Sequence, residues 1–332
     1  MTKPFGEFEL IDRLSRRLRL SARTILGPGD DCAIIARPRA RHELLTIDSM
    51  VEEVHFKYGW FSARPEALGE RALTVNLSDI AAMGGAPAAC LVNLAVREGL
   101  TMGFFERLYE GLQTAAGAAQ VDIVGGNVTS AKALAITIAL VGDAPARPLR
   151  RDGAKPGDDI FVTGTIGDAA CGWRILGGEL RARGTTRDFL TGRFRTPTAR
   201  IEAGRRLAAM KSASAAIDVS DGLMQDLGHI VKRSGVGAEI DANTVPVSPA
   251  YRALMSTDLG LALRGGEDYE LLFCMRAGRS EHALTTRLGV PVTRIGRITA
   301  SGRVEVRGAS AAVGRGGWDQ MLSDSRRRHG GR

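Results

Sequence analysis

Apolar residues fall at 8, 10, 11, 14, 18 and 20, close to helical spacing, so the chain is expected to open with a helix. The pattern then shifts to short runs rich in β-branched residues. These predict strands at 43–48 (ELLTID), 89–96 (ACLVNLAV) and 133–142 (ALAITIALVG). The last two are apolar almost without interruption, as in strands covered on both faces. Helical stretches at 65–83 and 103–119 lie between them. After APARPLRRDGAKPGDD (144–159), dense in proline, glycine and charge, strands are expected at 159–163, 215–219, 237–241, 269–275, 292–298 and 303–307. Helices are expected at 168–177, 198–210, 222–234 and 280–288. Interleaving in both halves gives an α/β (α+β) class, with domains at 1–145 and 146–332.

Composition narrows this picture only a little. The 332 residues are 44% hydrophobic and 25% charged, as in a globular protein with room for two cores. No apolar run approaches bilayer length, and MTKPFGEFELIDRLSRR lacks the apolar core of a signal peptide. Cys32, Cys90, Cys171 and Cys274 are widely spaced in apolar settings and read as buried free thiols, so a cytoplasmic enzyme is expected. The net charge of +8 is spread along the chain. Without basic-aromatic interleaving or zinc-finger spacing, no nucleic-acid partner is expected, and an anionic small molecule suits the charge equally well. The dense basic run RRRHGGR (326–332) belongs to a tail expected to be flexible from about 323.

Carboxylates change the picture. They stand beside glycine or inside apolar stretches: Asp30 and Asp31 in GPGDDCAII, Asp48 in LLTIDSMVE, Asp79 in NLSDIAAMGG, Asp218 and Asp221 in AIDVSDG, and Glu267 and Asp268 in GGEDYELLF. Asp79 follows Leu68, Ala72 and Val75 at helical spacing, on an apolar face that Asn76 shares. One such acid reads as a satisfied core residue, and AIDVSDG alone reads as a strand end with Asp221 capping a helix. Five such segments call for a cation. Hard oxygen donors suit Mg²⁺ bound together with phosphates. No P-loop or protein-kinase signature is present. Glycine-rich turns such as GPGDD, MGGAP and VGGNVTS recur beside the acids, which favours metal-bridged phosphoryl transfer from ATP.

In this order and at these distances, GPGDDCAII, TIDSMVEEVHF, NLSDIAAMGGAP, VGGNVTS, RRDGAKPGD, VTGTIGDAACG, AIDVSDGLMQDLGHI and GGEDYELLF resemble the thiamine-monophosphate kinase family. The resemblance runs from FGEFELI (5–11) to GGWDQM (316–321). It implies membership of the ATP-using superfamily of aminoimidazole ribonucleotide synthetase. The implied fold is a homodimer whose N-terminal sheets form a barrel-like layer, with a C-terminal α/β sandwich. The implied reaction is direct in-line transfer from ATP to thiamine monophosphate, giving thiamine diphosphate with several Mg²⁺ ions. The family pattern places metal on Asp30, Thr46, Asp48, Asp79, Asp218 and Asp221, and nucleotide at Gly126, Asn127, Arg151 and Ser220. It places the thiamine substrate near His55, Glu267 and Trp318, whose indole face would attract a thiazolium cation. Because the chemistry is positioning and charge neutralisation, no general base is assigned.

Asn127 departs from the acid many relatives carry, and an amide offers a metal one neutral oxygen but no charge. Two alternatives remain. Another enzyme of the superfamily is disfavoured by Cys32, which lies in apolar CAII rather than a glycine-rich segment, and by a terminal HGGR where the hydrogenase-maturation relative has cysteine. A non-catalytic nucleotide or thiamine-phosphate binding protein would bind ATP without releasing ADP.

Overall fold

The computed structural model describes residues 24–36 and 42–308. The expected first helix, Trp318 and the basic tail lie outside the described residues.

Two six-stranded sheets organise the chain. The first comprises β1 (Thr24–Leu26), β2 (Ala33–Ile35), β3 (Glu43–Val51), β4 (Ala86–Val96), β5 (Asp122–Ser130) and β6 (Ala135–Asp143), in the order β1-β2-β3-β6-β4-β5. Only β4 and β5 pair in parallel. Two 18-residue helices, α2 (Pro65–Ala82) and α3 (Met102–Ala119), follow the short α1 (Tyr58–Phe61). Pro65 at the start of α2 brings a φ preset for a helix, and the Thr101 hydroxyl caps α3 by accepting from Phe104 N. The two helices touch through glycine. A Cβ on Gly69 would lie 1.9 Å from the Leu108 carbonyl oxygen, and one on Gly111 would lie 1.8 Å from that of Glu66.

Alternation along β3 separates the two faces of the sheet. Leu44 and Met50 are buried in the core under α2 and α3. Leu45 and Ile47 point the other way, and Ile47, 68% exposed, stands in register with Ala139 and through it with Leu91, 50% exposed. The sequence had suggested cover on both faces of β4 and β6. Among the described residues only the helix-side face is covered.

The second sheet has the order β12-β9-β11-β7-β10-β8, built from β7 (Asp159–Thr163), β8 (Ala213–Asp218), β9 (Gly237–Asp241), β10 (Leu271–Met275), β11 (Val292–Thr299) and β12 (Val304–Arg307). Its helices are α4 (Asp168–Leu176), α5 (Gly184–Arg195), α6 (Ile201–Ala208), α7 (Leu223–Ser234), α8 (Pro249–Met255), α9 (Gly260–Arg264) and α10 (Glu281–Leu288). Every residue of β7 and β10 is buried, the apolar run of β10 and the Ile-Phe-Val centre of β7 together with Asp159 and Thr163 at its ends. All four cysteines are buried and free. No helix among the described residues is long and apolar enough to cross a membrane.

One expected turn is a strand. VGGNVTS lies in β5, at the exposed edge of the first sheet, with a bulge at Gly125 (φ 153°). A Cβ on Gly126 would lie 1.8 Å from the Val92 carbonyl oxygen, so that glycine serves close strand approach rather than chain reversal.

Candidate functional site: buried carboxylates beside an interlayer cleft

The two layers bring their acids together. Asp31 precedes β2, Asp79 lies in the last turn and a half of α2, and Asp218 ends β8. One carboxylate oxygen from each lies within 4.8 Å of the others, a geometry that can hold a metal ion. Thr46 Oγ1 on β3 donates to Asp79 Oδ2 at 2.5 Å, and Ser78 Oγ donates to Asp218 Oδ2 at 2.7 Å. Burial pushes the carboxyls of Asp79 and Asp218 well above their usual range, and neighbouring aspartates push them further. Asp30 is pushed up to about 6 by burial and by Asp31. Arg151 is the counter-charge: its Nη2 donates to Asp31 Oδ1 at 2.6 Å, and its backbone N donates to Asp30 Oδ2 at 3.1 Å. Among the described residues this one guanidinium is the cation shown against the cluster, so its carboxyls outnumber the positive charge beside them.

Beside this cluster opens a cleft of about 1040 Å³, lined from both layers by Asp48, His55, Ser220, Asp221 and Glu267 and by the aromatic residues Trp60, Trp173 and Tyr269. The Trp60 and Trp173 rings meet edge to face at 4.7 Å, and both pack on Phe194. His55 Nδ1 accepts from Val51 N at 3.0 Å, which fixes the ring at the end of β3.

The AIDVSDG turn works differently from a simple cap. Gly222 takes φ 120°, and Asp226 inside the first turn of α7 accepts from Gly222 N at 3.0 Å and Asp221 N at 3.2 Å. Asp226 thereby does the capping expected of Asp221 and leaves Asp221 on the cleft wall. Donor atoms of Asp221, Asp226 and His229 lie within 4.8 Å of one another.

GGEDYE divides its acids among three tasks. Glu267 lines the cleft. Asp268 accepts from Gly167 N at 2.6 Å and Ala169 N at 3.1 Å, closing the N-terminus of α4. Glu270, fully buried, takes Arg193 at 2.9 Å and a bidentate contact from Arg200. Glu267 and Tyr269 both hold left-handed backbone, φ 75° and 52°, a cost that local structure must outweigh.

Comparison with known proteins decides the family. The sequence matches the AIR synthase related protein family, its N-terminal domain over 29–144 and its C-terminal domain over 155–309. A thiamine-monophosphate kinase of Salmonella typhimurium is 41% identical over 305 residues, covering 89% of this chain and 91% of that protein. The chain belongs to the thiamine-monophosphate kinase family. The Bacillus subtilis thiamine-monophosphate kinase is 36% identical, over 88% of this chain and 91% of its own. A solved structure described as AaThiL complexed with AMPPCP and TMP superposes with TM-score 0.82 at 35% identity, covering 95% of this chain and 96% of that one. The Stenotrophomonas maltophilia K279a thiamine-monophosphate kinase gives 0.75 at 39% identity, covering 93% and 99%. The hydrogenase maturation protein HypE in complex with ATP, at 22% identity and TM-score 0.65 over 85% of this chain and 86% of its own, shares the fold.

Against that family pattern, the structure gathers Asp30, Thr46, Asp79, Asp218 and Arg151 in one cluster. Asp48, His55, Ser220, Asp221 and Glu267 lie on the adjoining cleft. It does not bring Gly126 and Asn127 there: both lie on β5, where Asn127 donates to Asn93 Oδ1 at 2.9 Å. Asp31, named among the sequence's conspicuous acids but outside the family pattern, completes the arrangement together with Ser78, Asp226 and Arg71, which the sequence did not single out. Ser78 adjoins Asp79. Arg71 gave no signal, because an arginine on a helix ordinarily reads as solvent-facing.

Proposed function

We propose that the protein transfers the γ-phosphoryl group of ATP directly to thiamine monophosphate, giving thiamine diphosphate and ADP. The observation that carries this reading is the cluster of Asp31, Asp79 and Asp218 beside a cleft walled by Trp60, Trp173 and Glu267. An acceptor with a phosphate at one end and a cationic heteroaromatic system at the other matches that division. The kinase relatives and the AaThiL complex with AMPPCP and TMP support the same pair of substrates.

The donor set fits Mg²⁺. It is made of hard, buried oxygens that, among the described residues, outnumber the positive charges beside them. Asp31, Asp79 and Asp218, with Asp30, Thr46, Asp48 and Asp221 around them, are the proposed holders. Bound there, Mg²⁺ supplies neutralisation of phosphate charge. Arg151, which lies against the acids, is the proposed guanidinium for a phosphate, and Ser220 on the cleft wall is the proposed hydroxyl for the nucleotide. His55 and Glu267 orient the acceptor, whose terminal phosphate oxygen is already ionised and attacks without a dedicated base. Gly126, Asn127 and Trp318 are proposed for nucleotide and thiamine recognition on the family pattern.

The division at 145/146 assigns nucleotide and metal binding to the first layer, with the second completing the site. The open apolar face with Leu45, Ile47 and Leu91 supports a homodimer closed across the first sheets. Four free thiols and dependence on ATP suit the cytoplasm.

Phosphorus NMR of the protein with ATP, Mg²⁺ and thiamine monophosphate tests the reading. Thiamine diphosphate and ADP should grow together without matching orthophosphate. Orthophosphate release would point to another enzyme of the superfamily, and no consumption to a binding protein.

A further inference from the structure

Glu267 is held by one oxygen and leaves the other open. Its Oε2 accepts from the Tyr269 hydroxyl at 2.7 Å and from Nη2 of Arg71. Its Oε1 takes no hydrogen bond among the described residues, and the side chain is 25% exposed on the cleft. Arg71 is 1% exposed; its Nη1 donates to the Phe194 carbonyl, and its Cζ lies 4.1 Å from the centroid of the Phe194 ring. Nε of Arg71 is buried with no partner. A buried guanidinium whose Nε is left unpartnered is a costly brace if bracing is its whole purpose. The left-handed backbone at both Glu267 and Tyr269 adds to that cost, in a turn where the Tyr269 hydroxyl meets the Glu267 carboxylate.

We infer that Arg71 and Tyr269 are positioning residues that aim Glu267 Oε1 at the organic end of the acceptor, where it receives an N–H donor or ring cation. This rests on the proposed use of the cleft for thiamine monophosphate. Two donors on Oε2 fix the rotation of the carboxylate, so Oε1 meets the acceptor without reorganisation. Trp60 and Trp173, which line the same cleft, supply aromatic surface against which a ring would pack.

Steady-state kinetics on the full chain tests this with Tyr269→Phe, Arg71→Lys and Arg71→Met, alongside thermal melting and thiamine monophosphate binding followed by tryptophan fluorescence. Tyr269→Phe keeps the ring and removes one hydrogen bond to a charged group. It should raise the KM and Kd for thiamine monophosphate roughly tenfold, with the KM for ATP moving less than about twofold. Arg71→Met should exceed that effect, and Arg71→Lys should recover part of it. Lowered melting temperatures with an unchanged thiamine monophosphate Kd, or equal rises in both KM values, would overturn the inference and leave a structural brace. A wild-type protein that neither binds nor phosphorylates thiamine monophosphate would overturn the proposed function and this inference together. Wild-type turnover with a normal Tyr269→Phe variant would overturn this inference alone.

Discussion

Replacing Asp218 by Asn should make the metal-free protein more stable and the metal-loaded protein inactive. Asp218 is buried with one oxygen within 4.8 Å of those of Asp31 and Asp79. At an effective dielectric near 20, two charges at that distance repel by about 3.5 kcal/mol. Protonation limits the cost. At pH 7 it cannot exceed the work of holding a proton on a carboxyl of ordinary pKa 3.8, about 4 kcal/mol. Asn fills the same volume and still accepts from Ser78 while removing that charge. For a chain of 332 residues unfolding as one unit, a gain of about 1–4 kcal/mol raises Tm by about 1–6 °C.

The pH dependence has a definite sign. Because the folded pKa is raised, the unfolded chain gives up its proton first, and wild-type stability is lost as pH rises above 3.8 toward the folded value. The Asn variant escapes this loss, so its advantage should vanish below about pH 4 and grow toward neutrality. Thermal melts in EDTA, then with MgCl₂ and ATP, check both halves. Wild type should gain from Mg²⁺–ATP and the variant should gain far less. A variant that melts below wild type in EDTA at pH 7, or that gains equally from Mg²⁺–ATP, would refute the charge argument.

Arg151→Met removes the cluster's counter-charge, so the metal-free protein should lose about 3 kcal/mol in urea unfolding, and added Mg²⁺ should recover more stability than in wild type. Glu270→Gln breaks a buried carboxylate held by Arg193 and Arg200, and should cost about 3–5 kcal/mol by the same measurement without changing the KM for ATP. Ile47→Asp places a charge on the open apolar face, and light scattering after size exclusion should show a dimeric wild type and a monomeric variant. A dimeric variant with unchanged dissociation would refute the proposed interface.

Two strands of the second sheet were legible to the residue: β7 at 159–163, buried throughout around its Ile-Phe-Val run, and β9 at 237–241, where Ala238 and Ile240 are buried and Asp241 is exposed. Edge strand β5 was not, because two adjacent glycines are the ordinary mark of a turn and only the partner strand shows that they make room for its backbone. Helix α5 was missed as well. GTTRDFLTGRFR opens and is interrupted by glycine and has little helical periodicity, yet Phe194 within it anchors the aromatic wall. The acid cluster was readable because carboxylates in apolar surroundings are conspicuous. Which of Asp30 and Asp31 faces Asp79 was not readable. Adjacent residues in an irregular turn differ only in direction, and direction is settled by the Arg151 contact from the other layer.

Helix α2 acts as the ruler of the site. Arg71 and Ser78 are seven residues apart, hence on nearly the same face and separated by about 10 Å along the axis. Each grips the second layer, Ser78 at Asp218 and Arg71 at Glu267 and the Phe194 carbonyl. Those two acids belong to neighbouring segments of the second layer. Glu267 N donates to Ser220 O, Tyr269 N to Val219 O, and Leu271 pairs with Asp218. The carboxylate that would face metal and the one that would face the acceptor are therefore set by one helix against one strand pair. Burial on both sides and the glycine contact with α3 at Gly69 keep that helix in place. A displacement of the second layer along α2 would break both contacts at once, which is why separation between the two ends of the cleft can be fixed although the layers are joined by an irregular segment.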